Sequence, residues 1–165
     1  MKLIILGSGG YGRVVADLAA QSGRYAEIFF LDDNSTSPDV LGKCAEFEAF
    51  DGEFYPAFGN NEARISWIER LTDAGKTVAT IVHPTAYVSP TAALGLGVTV
   101  LPNASVGSFT TVEDGCIINM GAIVDHNCTI AKGCHICLGA IVKADNHLPE
   151  KLKIEAGQVV ENRTY

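Results

Sequence analysis

Gly7, Gly9 and Gly12 spell G-x-G-x-x-G within the run GSGGYG. An apolar stretch, Leu3–Leu6, precedes them, and helical spacing through Val14, Val15, Leu18 and Ala19 follows. Glycines at such a turn let the backbone approach a phosphate, while the amides and dipole of the next helix face the anion. Asp32 stands about 20 residues on, where a dinucleotide site carries its ribose-binding acid. Three readings fit: an NAD site, a nucleotide-sugar site, and a tight strand-to-helix turn without a ligand. The stretch before residue 81 leaves no room for the second half of a dinucleotide fold, which counts against NAD. A second chemical pattern is Cys134-x-x-Cys137, with His126 nearby, the spacing of a zinc half-site.

The elements that must carry these residues differ between the two halves of the chain. From Val82 an aliphatic residue recurs every six positions: Val88, Leu94, Val100, Val106, Val112, Ile118, Val124, Ile130, Ile136, Val142, Leu148, Ile154 and Val160. Neither a helix nor a single strand has that period. Four residues after each comes a small or medium one: Ala86, Ala92, Val98, Ala104, Thr110, Cys116, Ala122, Cys128, Cys134 and Ala140. The second rule fails at Asn146, Leu152 and Gln158. A large and a small residue per hexad suit a three-sided β-solenoid with 18 residues per coil. The large one fills the prism, and the small one sits where its faces converge. Fourteen hexads make about 4.7 coils, a prism roughly 20–25 Å tall at the usual strand spacing.

This register bears on the cysteines. Cys134 shares the inward slot of Cys116 and Cys128, whereas Cys137 is expected to point outward at a corner. Thiols on opposite sides of a wall do not share an ion, so no metal is expected. His83, His126, His135 and His147 also lack the H-x4-H pair of β-helical carbonic anhydrases.

Residues 1–80 alternate strand and helix. Leu3–Leu6, Glu27–Leu31, Phe54–Phe58 and Thr77–Val82 read as strands. Arg13–Gln21 and Asn61–Asp73 read as helices, the second with Ile65, Ile68 and Leu71 on one face and Gly75 suited to its C-terminal end. Trp67 reads as core. The expectation is a small, mostly parallel α/β Rossmann-like domain over 1–80, binding ligands at the carboxyl ends of its strands. A parallel β-helix over 81–165 follows it.

Composition narrows the partners. The 165 residues hold 12 Lys plus Arg against 19 Asp plus Glu, a net charge of −7. That balance argues against a nucleic-acid binder. With 47% hydrophobic residues the chain can bury a core. No apolar run approaches the roughly 18 residues of a membrane span, and the N-terminal run is too short for a signal sequence. The five cysteines are expected as thiols in a reducing, cytoplasmic setting.

GSGGYG, FLDDN (Phe30–Asn34), FGNN with Arg64, IVHP (Ile81–Pro84) and INMGAIVDHNC (Ile118–Cys128) together resemble the NeuD/PglD-like sugar O-/N-acetyltransferases. These are hexapeptide-repeat enzymes. The resemblance implies a left-handed coil, against the right-handed habit of β crossovers. It implies acetyl transfer from acetyl-CoA to an amine or hydroxyl of a sugar, commonly UDP-linked, in surface-glycan biosynthesis. It also implies a homotrimer with active sites between neighbouring prisms. His126 would be the general base, since an imidazole with a pKa near 6.5 takes a proton well at neutral pH. Asp125 would orient it and Asn119 would hold the acceptor or the oxyanion. Acetyl-CoA would meet His135, Gly139, Ala144 and Lys153. The nucleotide sugar would meet Gly7, Ser8, Gly9, Gly10, Tyr11, Gly12, Asp32, Asp33, Asn60 and Arg64. Tyr11 stands where the family usually has His, and the last coils depart from the regular pattern. Stacking by 18 sets Lys143 over Asp125, a possible ion pair competing with His126. The alternatives are a nucleotide-sugar-binding trimer without catalysis, and an acyltransferase using another acyl-CoA.

Overall fold

A computed structural model describes residues 1–165 and divides them into two compact units, Met1–Ala79 and Thr80–Tyr165. The first is a five-stranded, all-parallel sheet. Its strands are β1 (Lys2–Leu6), β2 (Glu27–Leu31), β3 (Val40–Gly42), β4 (Glu53–Pro56) and β5 (Thr77–Val78), in the order β3-β2-β1-β4-β5. Helices α1 (Gly10–Gln21) and α2 (Asn61–Asp73) supply crossovers. The central strand β1 is an unbroken apolar run, and Leu3, Ile4, Ile5 and Leu6 are fully buried, as a two-sided sheet demands. Asn60 caps α2 by accepting from the Ala63 N–H at 2.9 Å, and Gly75 turns the chain out of it at φ +70°.

Several local expectations change. The first strand starts one residue earlier, at Lys2, and the first helix three residues earlier, at Gly10, inside the glycine-rich run. The third sequence strand starts one residue earlier and ends at Pro56. Val40–Gly42 and a 3-10 turn over Cys44–Ala49 are additional elements. The stretch Thr77–Val82 is two strands rather than one: β5 closes the first sheet, and β6 (Ile81–Val82) opens the second unit.

That second unit is a left-handed parallel β-helix. Fourteen two-residue strands run from β6 to β19 (Val159–Val160), and each partners the strand 18 residues before or after it. They stack into three sheets. Every hexad aliphatic is the second residue of its strand and lies in, or packs against, one continuous interior cluster. The corners explain the remaining periodicity. Every sixth residue from Gly97 to Arg163 has a positive φ, and Asn127, at +55°, is one of them.

The coils persist beyond Ala140. Asn146 is fully buried in the small-residue slot and satisfies its amide there. Its Nδ2 donates to the carbonyls of Lys143 and Glu161, and its Oδ1 accepts from the N–H groups of Thr164 and Tyr165. A polar residue thus continues the prism by hydrogen bonding rather than breaking it.

Candidate functional site

In the first unit a pocket of about 330 Å³ opens at the carboxyl ends of β1, β2 and β4. Its walls are Gly7, Gly9, Gly10 and Tyr11 after β1, Asp32, Asp33 and Asn34 after β2, Cys44, and Ala57, Phe58 and Gly59 after β4. Helix α1 begins at this mouth with Gly9 as N-cap. No side chain caps it and no acid lies in its first turn. Its first amides are therefore available to an anion. Gly12 serves packing instead: a Cβ there would fall 2.0 Å from the Gly7 carbonyl oxygen.

Asp32 is fully engaged. Its Oδ2 accepts from the N–H and hydroxyl of Ser8 at 2.6 and 2.8 Å, and its Oδ1 accepts from the N–H groups of Asn34 and Ser35 at 2.8 and 3.1 Å. Burial alone would raise its pKa, but these four bonds outweigh it and the carboxyl lies below its usual value. Asp33 accepts the Cys44 N–H at 3.0 Å and is otherwise exposed. The Tyr11 hydroxyl meets that of the fully buried Tyr55 at 2.8 Å. Arg13 packs over the Phe30 ring, donates Nε–H to the Ser8 carbonyl and pairs with Asp39. Burial beside Asp33 and Asp32 pushes the Cys44 thiol up to about 11, which makes it a poor nucleophile.

Ser8, Gly12, Asn60 and Arg64, expected at the nucleotide sugar, do not line this pocket. Arg64 is wholly buried, donating to the Phe58 carbonyl and to Asn61 Oδ1 at 2.8 Å each. It braces the loop that carries Phe58 and Gly59. Asn34, Cys44, Ala57, Phe58 and Gly59 were not named as ligand contacts from the sequence, although Asn34 lies in FLDDN and Phe58 and Gly59 lie in FGNN. Ala57 directly follows β4, and Cys44 carries no motif.

In the β-helix, His126 sits at a corner after β13 (Ile123–Val124). Its side chain is exposed and has no partner within the chain. Two buried features hold the corner. Thr110, in the interior, donates to the Asp125 carbonyl at 2.7 Å and accepts from the Cys128 N–H at 3.1 Å. Gly107 lies one coil below, where a Cβ would press within 2.8 Å of the Asp125–His126 peptide. Asp125 Oδ1 accepts the backbone N–H of His126 at 2.7 Å. Lys143 pairs with Glu161 at 2.5 Å rather than with Asp125, so the ion pair left open by the stacking does not form.

The structure brings together Asn119 and His135, whose side chains meet Nδ2 to Nε2 at 3.0 Å. Met120 N–H donates to Asn119 Oδ1, which turns the amide NH₂ towards the ring. Gly139 is an exposed corner residue with open space at its Cβ position. Ala144 is buried. Lys153 pairs with Glu155 at 3.0 Å, and that hydrogen bond and charge raise its pKa. Cys137, expected outside at a corner, is buried, and burial pushes its thiol up.

Residues 2–71 match the PglD N-terminal domain family. The acetyltransferase domain of PglB from Neisseria gonorrhoeae is 34% identical over 98% of this chain and 82% of its own, with a TM-score of 0.93. The same domain in complex with acetyl coenzyme A gives 0.94 at the same identity. PerB from Caulobacter crescentus, solved with CoA and GDP-perosamine, shares the fold at 24% identity and a TM-score of 0.84, over 99% of this chain and 90% of its own.

Proposed function

The chain belongs to the NeuD/PglD-like sugar acetyltransferases, and from that membership we propose that it transfers acetyl from acetyl-CoA to an amino or hydroxyl group of a UDP-linked sugar in surface-glycan biosynthesis. One observation carries the reading: 34% identity over nearly the whole chain to a PglB domain that was solved with acetyl-CoA.

Residues 1–80 take the nucleotide sugar. The amides at the start of α1 face its phosphates, and the Tyr11 phenol, steadied by Tyr55, fills the place of the family's histidine. Gly7, Gly9, Gly10, Asp32 and Asp33 line the pocket, while Ser8 and Gly12 fix the turn after β1 and Asn60 and Arg64 fix the loop after β4.

Residues 81–165 perform the transfer. The His126 imidazole accepts the proton of the attacking amine or hydroxyl as its bond to the acetyl carbon forms. The carbon–sulfur bond then breaks, and the imidazolium returns the proton to the departing thiolate. His135, tied to Asn119, and Gly139 form the acetyl-CoA side. Ala144 and Lys153 contribute there through shape and charge. An apolar column beside His126, formed by Ile123, Ile141 and Val159 with Tyr87 beyond Ser105, supports a homotrimer in which a neighbouring prism completes the site. Five free, buried thiols support a cytoplasmic setting, and no helix is long and apolar enough to cross a membrane.

The test is CoA release, read with a thiol reagent, from acetyl-CoA and a panel of UDP-amino sugars. The wild-type protein turns over at least one of them, and His126→Ala lowers that rate roughly 10²–10⁴-fold. A wild-type protein inert across amino sugars, sialic acids and small amines overturns the reading.

A further inference from the structure

Twelve corners of the β-helix take a left-handed backbone. Six are glycine and five are polar: Asn103, Asn127, Asp145, Lys151 and Arg163. The twelfth is Phe109, at φ +59°. A bulky side chain is strained in this region, and no interior packing offsets the strain, because Phe109 is 69% exposed, more than any other large apolar residue of the chain. Such an outlier serves function rather than folding.

Its place in the coil says which function. Strands pair at an offset of 18 residues, so Phe109 lies one coil below Asn127, the residue after His126. The Ser108 carbonyl accepts the Asn127 N–H at 3.0 Å, and Thr91 Oγ1 accepts the Phe109 N–H at 3.1 Å. Thr110, the next residue, is bonded to both sides of the His126 corner. One stack of corners therefore carries the ring and the imidazole, on coils about 4.8 Å apart. In the column of His126 itself the neighbours are small, Ser108 below and Ala144 above. The coil above is polar. Asn127 Nδ2 donates to Asp145 Oδ1 at 3.4 Å, and Arg163 donates to Asp145 Oδ2 at 3.1 Å. His126 thus has charged groups on one side and a phenyl ring on the other.

We propose that Phe109 is a specificity-determining residue that receives the C–H face of the acceptor's sugar ring, while the amino or hydroxyl group at the rim of that ring reaches His126. This assignment rests on the reading of His126 as the site of transfer. A pyranose carries its hydroxyls at the rim and C–H groups on its faces, so it packs flat on an aromatic ring and keeps its rim for hydrogen bonds. The competing occupant is a second copy of the chain. Association has the Ile123, Ile141 and Val159 column, which lies on ordinary strand backbone, and it requires no strained corner.

Kinetics and sedimentation of the full chain test it. Asparagine holds this conformation at Asn103 and Asn127, so Phe109→Asn melts at or above the wild-type temperature. With the UDP-amino sugar that the wild type acetylates best, the KM for the sugar rises about tenfold. The KM for acetyl-CoA and the sedimenting mass stay as they were, and kcat falls less than the sugar KM rises. Phe109→Tyr keeps a flat ring and restores the sugar KM. Should Phe109→Asn fail to fold, Phe109→Gly, with the residue of six other corners, gives the same pattern; instability in both would make the ring a packing group and overturn the assignment. An Asn variant with the wild-type sugar KM overturns it as well. So does one that sediments as a smaller species, which would set the ring against a neighbouring chain. A wild type that acetylates no sugar removes the reading of His126, and the assignment with it.

Discussion

His126 owes its exposed imidazole to its neighbours. Asn127 takes the left-handed corner conformation that glycine holds in half of the corners, and Asp125 ties down the His126 backbone N–H rather than its ring. The two contributions of Asp125 separate by substitution. Asp125→Asn keeps an oxygen for that N–H and retains acetyl transfer within about threefold, whereas Asp125→Ala frees it and loses roughly tenfold. Equal, severe losses in both variants, read from kcat, would mean that the negative charge itself acts on the imidazole. A second charge acts on stability. Arg13 holds Asp39 down to about 2, well below its ordinary 3.8. A depressed carboxyl stabilises the fold fully above its unfolded value and loses that contribution as pH falls through its folded one. The pair is exposed, so its worth is under about 1 kcal/mol. Melting curves of the wild type and Asp39→Asn therefore differ by a few degrees at pH 6 and converge near pH 2. A gap that persists at pH 2 would mean that the substitution acts through packing.

At the scale of the element, the β-helix tests its own rule at Asn146. Every earlier inward slot is apolar or a hydroxyl, while here one amide serves two carbonyls and two N–H groups at the last coil. Asn146→Ala strands all four, and destabilises the chain by about 1–3 kcal/mol in chemical denaturation; an unchanged midpoint would mean that solvent replaces the amide. The hexads were legible because every coil repeats the same packing problem, so fourteen copies of one signal reinforce each other. Asn146 was not, because a polar residue in an apolar slot shows its partners only once the coil above is in place. The Val40–Gly42 strand and its 3-10 turn were illegible for another reason: three residues carry no period, and pairing with β2 makes the strand. The glycine-rich turn and Asp32 were visible as motif residues, but spacing does not reveal what a carboxylate already holds. Thr110 fits the small-residue slot by size, which says nothing of its hydroxyl. Its hydroxyl reaches both sides of the His126 corner, a contact set by a neighbour 15 residues away.

At the scale of the whole molecule, the outer wall beside His126 differs from what the charge of −7 leads one to expect. Ile123, Ile141 and Val159 stack in register on one face, and Ser105 separates them from Tyr87 on the same ladder; Tyr87, Ile123 and Val159 are 57%, 42% and 46% exposed. Their side chains point away from the prism interior, so folding does not need them apolar. Association does. A threefold assembly sets such a face against a different surface of the next copy and closes on itself. The double variant Ile123→Asp, Val159→Asp leaves the interior untouched, and its circular dichroism should match the wild type. In sedimentation the wild type runs as three 17.5 kDa chains and the variant as one. The pocket lies wholly within residues 1–80, so the variant keeps its affinity for UDP. Acetyl transfer falls at least a hundredfold, because the His126 corner then faces solvent in place of a neighbour. A variant that stays trimeric would move the seam to another face. A single chain that still transfers acetyl at the wild-type rate would show that one prism carries a complete active site, and that the apolar column serves some other contact.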